Sequence, residues 1–195
     1  MKPISLQPRG FSLVEVLVTL VLVAIGILGL VALQARSVVF VQDSVQRNNA
    51  AILADDLIEI IRSADIVDSV TGLPPDSSDY YKSTGASFTS KADADCQTLP
   101  DAATDRLGCW ALRASQRLPG VDVDGDLLKD YFYICRSSTP GSCSSTATGS
   151  ALEIQLAWRA KKNECLKAPD QSTNGTTDTS NDASDICTYQ LRTEL

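Results

Sequence analysis

Few side chains in this sequence can do chemistry. Histidine is absent, which removes the Ser-His and Cys-His nucleophile arrangements and most zinc sites. Six cysteines, Cys96, Cys109, Cys135, Cys143, Cys165 and Cys187, all lie after the long N-terminal apolar run. No two are spaced C-x-x-C, so a metal knot is disfavoured, and an even number on one side of an apolar run points to disulfides formed in an oxidising compartment. The sequential set Cys96–Cys109, Cys135–Cys143 and Cys165–Cys187 is expected, because each bond then closes a local loop. Each such loop contributes roughly 2–4 kcal/mol by restricting the unfolded chain. Asp122, Asp124 and Asp126 form the run D-V-D-G-D. A calcium loop of the EF-hand type needs glycine after the third acid, whereas Gly125 precedes it and Leu127 follows. A tight turn between strands is the better reading of these residues. No catalytic residue, metal or cofactor is expected. That leaves Glu15, a carboxylate at the mouth of a long apolar run.

From Val16 to Ala35 the chain has 20 consecutive residues without a charge. As a helix this run is about 30 Å long, enough to cross the hydrocarbon core of a bilayer. A carboxylate beside such a span costs on the order of 2–3 kcal/mol, so it calls for a partner. Residues 1–10, M-K-P-I-S-L-Q-P-R-G, are basic and carry no acid, which predicts that this end stays cytoplasmic. A secretory signal peptide fits poorly, because the apolar run exceeds an ordinary signal core and lacks a good small-residue cleavage site. A plain signal anchor explains the basic end and the span but not Glu15.

The stretch G-F-S-L-V-E, from Gly10 to Glu15, resembles the prepilin signature of type IV pilins and type II secretion pseudopilins. Its continuation, with I-G-I-L-G-L and A-L-Q, is most similar to PilV-type minor pilins. The resemblance covers about 25 residues. It implies cleavage between Gly10 and Phe11 by a prepilin peptidase and N-methylation of Phe11, with the span kept as an assembly helix. It also gives Glu15 a partner, the new Phe11 amine of a neighbouring subunit, and in a dry environment an ion pair is far less costly than either charge alone. The implied partners are other minor pilins, the major pilin, the inner-membrane assembly platform and, before assembly, membrane lipid. The implied location is the inner membrane, crossed once with the C-terminal domain periplasmic, and then the pilus fibre. A pseudopilin, or a single-span periplasmic adhesin or enzyme, is the alternative.

The rest of the chain must position these residues. Beyond Arg36 apolar residues recur at three- and four-residue steps, from Val38 through Leu53, Leu57 and Ile61 to Val67, with Arg47, Asp55, Asp56, Glu59 and Arg62 between them. This predicts one helix over 11–66 whose second half is amphipathic. Gly72 and the Pro74–Pro75 pair stop it. Residues 72–105 read as an irregular connector and 105–118 as a second helix, with Trp110 as a packing anchor. Strands are predicted at 131–135, at 152–158, where Leu152, Ile154, Leu156 and Trp158 alternate with polar or small residues, and at 186–192, with a short piece at 120–123. The expected fold class is therefore α+β and pilin-like: a long N-terminal helix packed on a small antiparallel sheet and stabilised by disulfides. The expected organisation is a cleaved leader 1–10, a membrane and assembly half-helix 11–35, an amphipathic half-helix 36–67 and a globular domain 68–195. Residues 137–150 and 169–184 are too polar to bury. The formal charge is −7; without residues 1–10 it is −9, with 15 basic against 24 acidic side chains. So acidic a surface repels phosphate, and no nucleic-acid partner is expected. Replacing Gly10 by Glu is expected to leave an uncleaved precursor in the membrane, visible as slower migration on an immunoblot.

Overall fold

The computed structural model describes residues 12–143, 149–161, 164–165 and 184–194. Its contacts divide the chain into residues Met1–Val41 and Gln42–Leu195. Helix α1 runs Leu13–Ser63. No proline falls between Pro8 and Pro74 to interrupt it. Its last turn tightens, with the Ala64 amide bonded to the Ile61 carbonyl (3.2 Å) and the Asp65 amide to that of Arg62 (3.3 Å). Asp65 then turns left-handed (φ 52°), which ends the helix.

Within the second unit, α1 buries Ala50, Leu53, Ala54, Leu57 and Ile61, a stripe at three- and four-residue spacing, while Ile52, Asp55 and Glu59 stay exposed. Helix α2, Ala103–Arg117, adds Leu107, Trp110, Ala111 and Ala114 to the same core. Trp110 is fully buried and its indole N–H donates to the Leu53 carbonyl of α1 (2.8 Å), so the polar edge of the ring is satisfied. Phe88 and Phe132 close an aromatic triad around it, with ring centroids 5.9 to 6.5 Å apart.

Three antiparallel strands complete the domain: β1 Tyr133–Ser137, β2 Ala151–Lys161 and β3 Ser184–Thr193, in the order β1-β2-β3. Ile134 pairs with Ile154, and Ile154 with Leu191. Leu152, Ile154, Leu156 and Trp158 of β2 lie on one face and join the core, as the period-two alternation requires. The architecture is thus α+β: a long N-terminal helix, a small antiparallel sheet and disulfides. Cys96–Cys109 ties a short 3-10 turn to α2, Cys135–Cys143 closes the loop after β1, and Cys165–Cys187 reaches β3.

Several local expectations differ from the structure. Residues 120–123 form no strand; Gly120 is left-handed (φ 70°), and a Cβ there would meet the Arg159 side chain. The chain turns at this point because the Arg159 amide is bonded to the Pro119 carbonyl (2.9 Å). The turn at Asp122–Gly125, with the Gly125 amide on the Asp122 carbonyl (3.0 Å), leads into a π-helical turn, Leu127–Tyr131, rather than a strand. Strand β1 consequently starts at Tyr133, not 131.

The connector before α2 is held by a buried lysine and a partly buried arginine rather than by regular structure. Lys82 is 5% exposed, and its ammonium donates to the carbonyls of Phe132 (2.6 Å), Lys129 (2.9 Å) and Ser83 (3.2 Å). Arg136 reaches the Pro74 carbonyl (2.6 Å), the Asp76 carboxylate (2.9 Å) and the Tyr81 hydroxyl (3.1 Å). Replacing Trp110 by Ala removes the ring at the centre of the triad and its bond to α1. It is expected to lower the unfolding free energy by about 3–5 kcal/mol, measured by urea denaturation.

Candidate assembly site

Glu15 sits in the first turn of α1. The Ser12 carbonyl accepts the amides of Glu15 (3.0 Å) and Val16 (3.3 Å), so the helix is closed at the position of the acid. A carboxylate there is favoured by the partial positive charge of the helix N-terminus. Beyond it, Leu13–Gln34 is 22 residues long with mean hydropathy 3.0, enough by length and composition to cross a membrane, and none of it is buried. Leu13, Leu22, Leu28 and Leu33 are each more than 60% exposed. The Thr19 hydroxyl donates to the Val16 carbonyl (2.8 Å), which removes its need for a partner elsewhere. A Cβ placed on Gly26 or Gly29 would meet nothing within 4 Å, so these glycines leave the helix surface open to close approach.

Among the described residues no cation pairs with the Glu15 carboxylate. What the arrangement offers is a single anion on an otherwise apolar cylinder. Gly10 and Phe11, with the leader, lie outside the described residues, as does most of the polar stretch 169–184.

The six cysteines form three bonds, with Cα separations of 5.5 Å for Cys96–Cys109, 5.6 Å for Cys135–Cys143 and 5.4 Å for Cys165–Cys187. Asp122, Asp124 and Asp126 are all exposed. Among the described residues no three acids, cysteines or histidines converge on a point where a metal ion could sit.

Two buried carboxylates escape a reading of the sequence. Asp43, 4% exposed, pairs through Oδ2 with Arg47 (2.8 Å), whose guanidinium also lies 5.8 Å from the centre of the Trp158 ring. Glu153 falls on the face of β2 that alternation assigns to solvent, yet it is 1% exposed. The loop closed by Cys135–Cys143 folds over it, and the Gly141 amide donates to its Oε1 (2.8 Å). The Tyr133 hydroxyl is a second donor to Oε1 (2.8 Å). Burial first, and then the bond and charge of Glu153, push the Tyr133 phenol well above its usual range, so it serves as a fixed proton donor. The one sequence signal for this burial is the short cysteine spacing, which forces the chain after β1 back over its own sheet.

Residues 7–31 match the family described as the prokaryotic N-terminal methylation motif. No curated protein and no solved structure matches the chain. The matched stretch contains Glu15 and most of the apolar segment. It supports a type IV pilin-like protein, a pilin or a pseudopilin, that is processed by a prepilin peptidase and has a structural rather than an enzymatic role. The motif and the apolar helix fit a protein anchored in the inner membrane and then incorporated into a fibre. Replacing Glu15 by Val is expected to leave the protein stable in the membrane and to reduce its recovery in sheared fibres by at least tenfold. Wild-type recovery would remove the role given to this carboxylate.

Proposed function

We propose that this chain is a minor pilin of a type IV pilus, of the PilV type, which helps to start assembly at or near the fibre tip and supports surface piliation and twitching motility. The observation that carries this reading is Glu15 in the first turn of a fully exposed apolar helix, inside the methylation motif. In this reading the leader 1–10 is cleaved after Gly10, and Phe11 becomes the N-methylated amino terminus. Residues 11–35 form the membrane and assembly half of the helix, 36–67 the amphipathic half, and 68–195 the globular domain on the periplasmic side.

The mechanism is electrostatic and requires no reaction beyond processing. A lone carboxylate at the edge of an apolar span costs on the order of 2–3 kcal/mol. Pairing Glu15 with the Phe11 amine of an adjacent pilin removes much of that cost and sets the axial stagger between neighbours, since one registration brings the charges together. The apolar surfaces of Leu13–Gln34 then pack on other pilin helices instead of lipid. The partners are other minor pilins, the major pilin and the assembly platform.

Length and six cysteines favour the pilus over a secretion pseudopilus, whose subunits are usually shorter and carry fewer cysteines. Deletion of the coding sequence separates the two readings. Loss of surface pili, seen by electron microscopy, together with loss of twitching on agar is expected, with exoprotein secretion intact. Intact pili with a secretion defect would replace the proposal with the pseudopilin reading.

A further inference from the structure

Glu153 lies within β2 and faces away from the apolar core, yet the domain encloses it almost completely. Its Oε1 accepts from the Tyr133 hydroxyl and from the Gly141 amide, both at 2.8 Å. Its Oε2 is buried as well, and among the described residues nothing hydrogen-bonds to it. Buried polar atoms nearly always have partners, so this one calls for a physical reason.

The register of the sheet supplies it. Glu153 is the direct cross-strand partner of Cys135 on β1. Residues paired this way carry their Cβ atoms about 4.5–5.5 Å apart on one face of the sheet, which puts the Glu153 carboxyl group within reach of the Cys135 sulfur. Gly141, the residue whose amide Glu153 holds, is two positions before Cys143. The carboxylate therefore holds the loop that the Cys135–Cys143 bond closes through Gly141 near one end and stands across the strands from Cys135 at the other. Among the described residues, the charged or titratable groups beside Glu153 on this face are Tyr133 on β1 and Arg192 on β3, its second cross-strand partner, with Arg159 and Lys161 further along β2. Arg192 turns its guanidinium to the carbonyls of Ser137 and Ser138 (3.3 Å each), in the same loop. Gln190 supports the Tyr133 hydroxyl (3.2 Å) and the Gln155 side chain (2.7 Å).

We propose that Glu153 promotes formation of the Cys135–Cys143 disulfide, by holding the loop closed through Gly141 and by accepting the proton of the Cys135 thiol as the bond forms. The oxidant is a disulfide, RSSR, of the small-molecule or oxidoreductase class. Cys143 is exposed and reacts first: its thiol loses a proton, the Cys143 S–SR bond forms, the RS–SR bond breaks and the departing RS⁻ is protonated. Cys135 then gives its proton to Glu153, and its sulfur attacks the Cys143 sulfur. The Cys135–Cys143 bond forms, the S–SR bond breaks, and the second RS⁻ leaves with the proton released by Glu153. Two thiols are oxidised and one disulfide is reduced to two RSH. The thiolate is the nucleophile in such exchange, so a base beside the sheltered thiol accelerates the second step.

The other two disulfides serve as internal controls. Cys187 stands opposite Trp158 rather than an acid, and Cys109 lies on α2. Full-length protein in detergent micelles is reduced, reoxidised with glutathione disulfide and quenched by alkylation. Mass spectrometry then follows each cysteine pair between about pH 6 and pH 8. Glu153→Gln keeps an oxygen acceptor for Tyr133 and Gly141 but cannot take a proton. It is expected to slow the closing step, Cys135 attack on the Cys143 mixed disulfide, by about a hundredfold and to leave the other two pairs unchanged. Closure within twofold of wild type overturns the proposal. Wild-type protein provides a second test that does not depend on the variant's folding. Release of glutathione from its Cys143 mixed disulfide, the step in which Glu153 acts, is expected to rise less steeply with pH than the same step in the other pairs, which gains about tenfold per pH unit below the thiol range. Equal slopes for all three pairs overturn the proposal as well.

Discussion

An α-helix presents its whole circumference to its surroundings, and along α1 the surroundings it can tolerate change with position. Leu13–Gln34 is apolar on every face and buried on none. Water is a poor solvent for such a cylinder, and lipid or other helices of the same kind are good ones. From Ala50 onward the same helix is apolar along one stripe only, and that stripe closes the core of the folded domain. Glu15 is the exception that gives the first segment polarity. Its place in the first turn sets the carboxylate beside the partial positive charge of the helix N-terminus.

The folded domain is small and, among the described residues, sets three strands against its helices. It compensates with ties between segments that regular structure does not connect. Trp110 joins α2 to α1 through an indole bond to Leu53. Lys82 gathers the carbonyls of Lys129 and Phe132 at the π-helical turn and that of Ser83 beside it, and Arg136 holds the connector at Pro74 and Asp76. Both cations are matched by oxygen acceptors, as burial of charge requires. The disulfides add constraints of a different kind, since they restrict the unfolded chain as well as the folded one.

The elements with strong local signals were legible without coordinates. The absence of proline and the three-and-four spacing of apolar residues mark α1. The alternation of Leu152, Ile154, Leu156 and Trp158 marks β2. Boundaries and short pieces were not. Residues 120–123 look like a strand by composition, but the Pro119 carbonyl and the Arg159 side chain claim that space. The segment at Leu127–Tyr131 has the aromatic and apolar residues of a strand and winds instead, because Lys82 caps its terminal carbonyls from a distant part of the chain.

By itself the sequence determined that this protein has a 22-residue apolar helix with one acid at its start, since length, hydropathy and the spacing from Gly10 to Glu15 are local properties of the chain. Tertiary structure alone decided that Glu153 is buried and set against Cys135. Alternation places Glu153 on the outer face of the sheet but does not say what covers that face. The pairing with Cys135 depends on strand register, and a slip of one residue would send either side chain to the opposite face. That register is set by contacts between residues far apart in the chain, which no local pattern encodes.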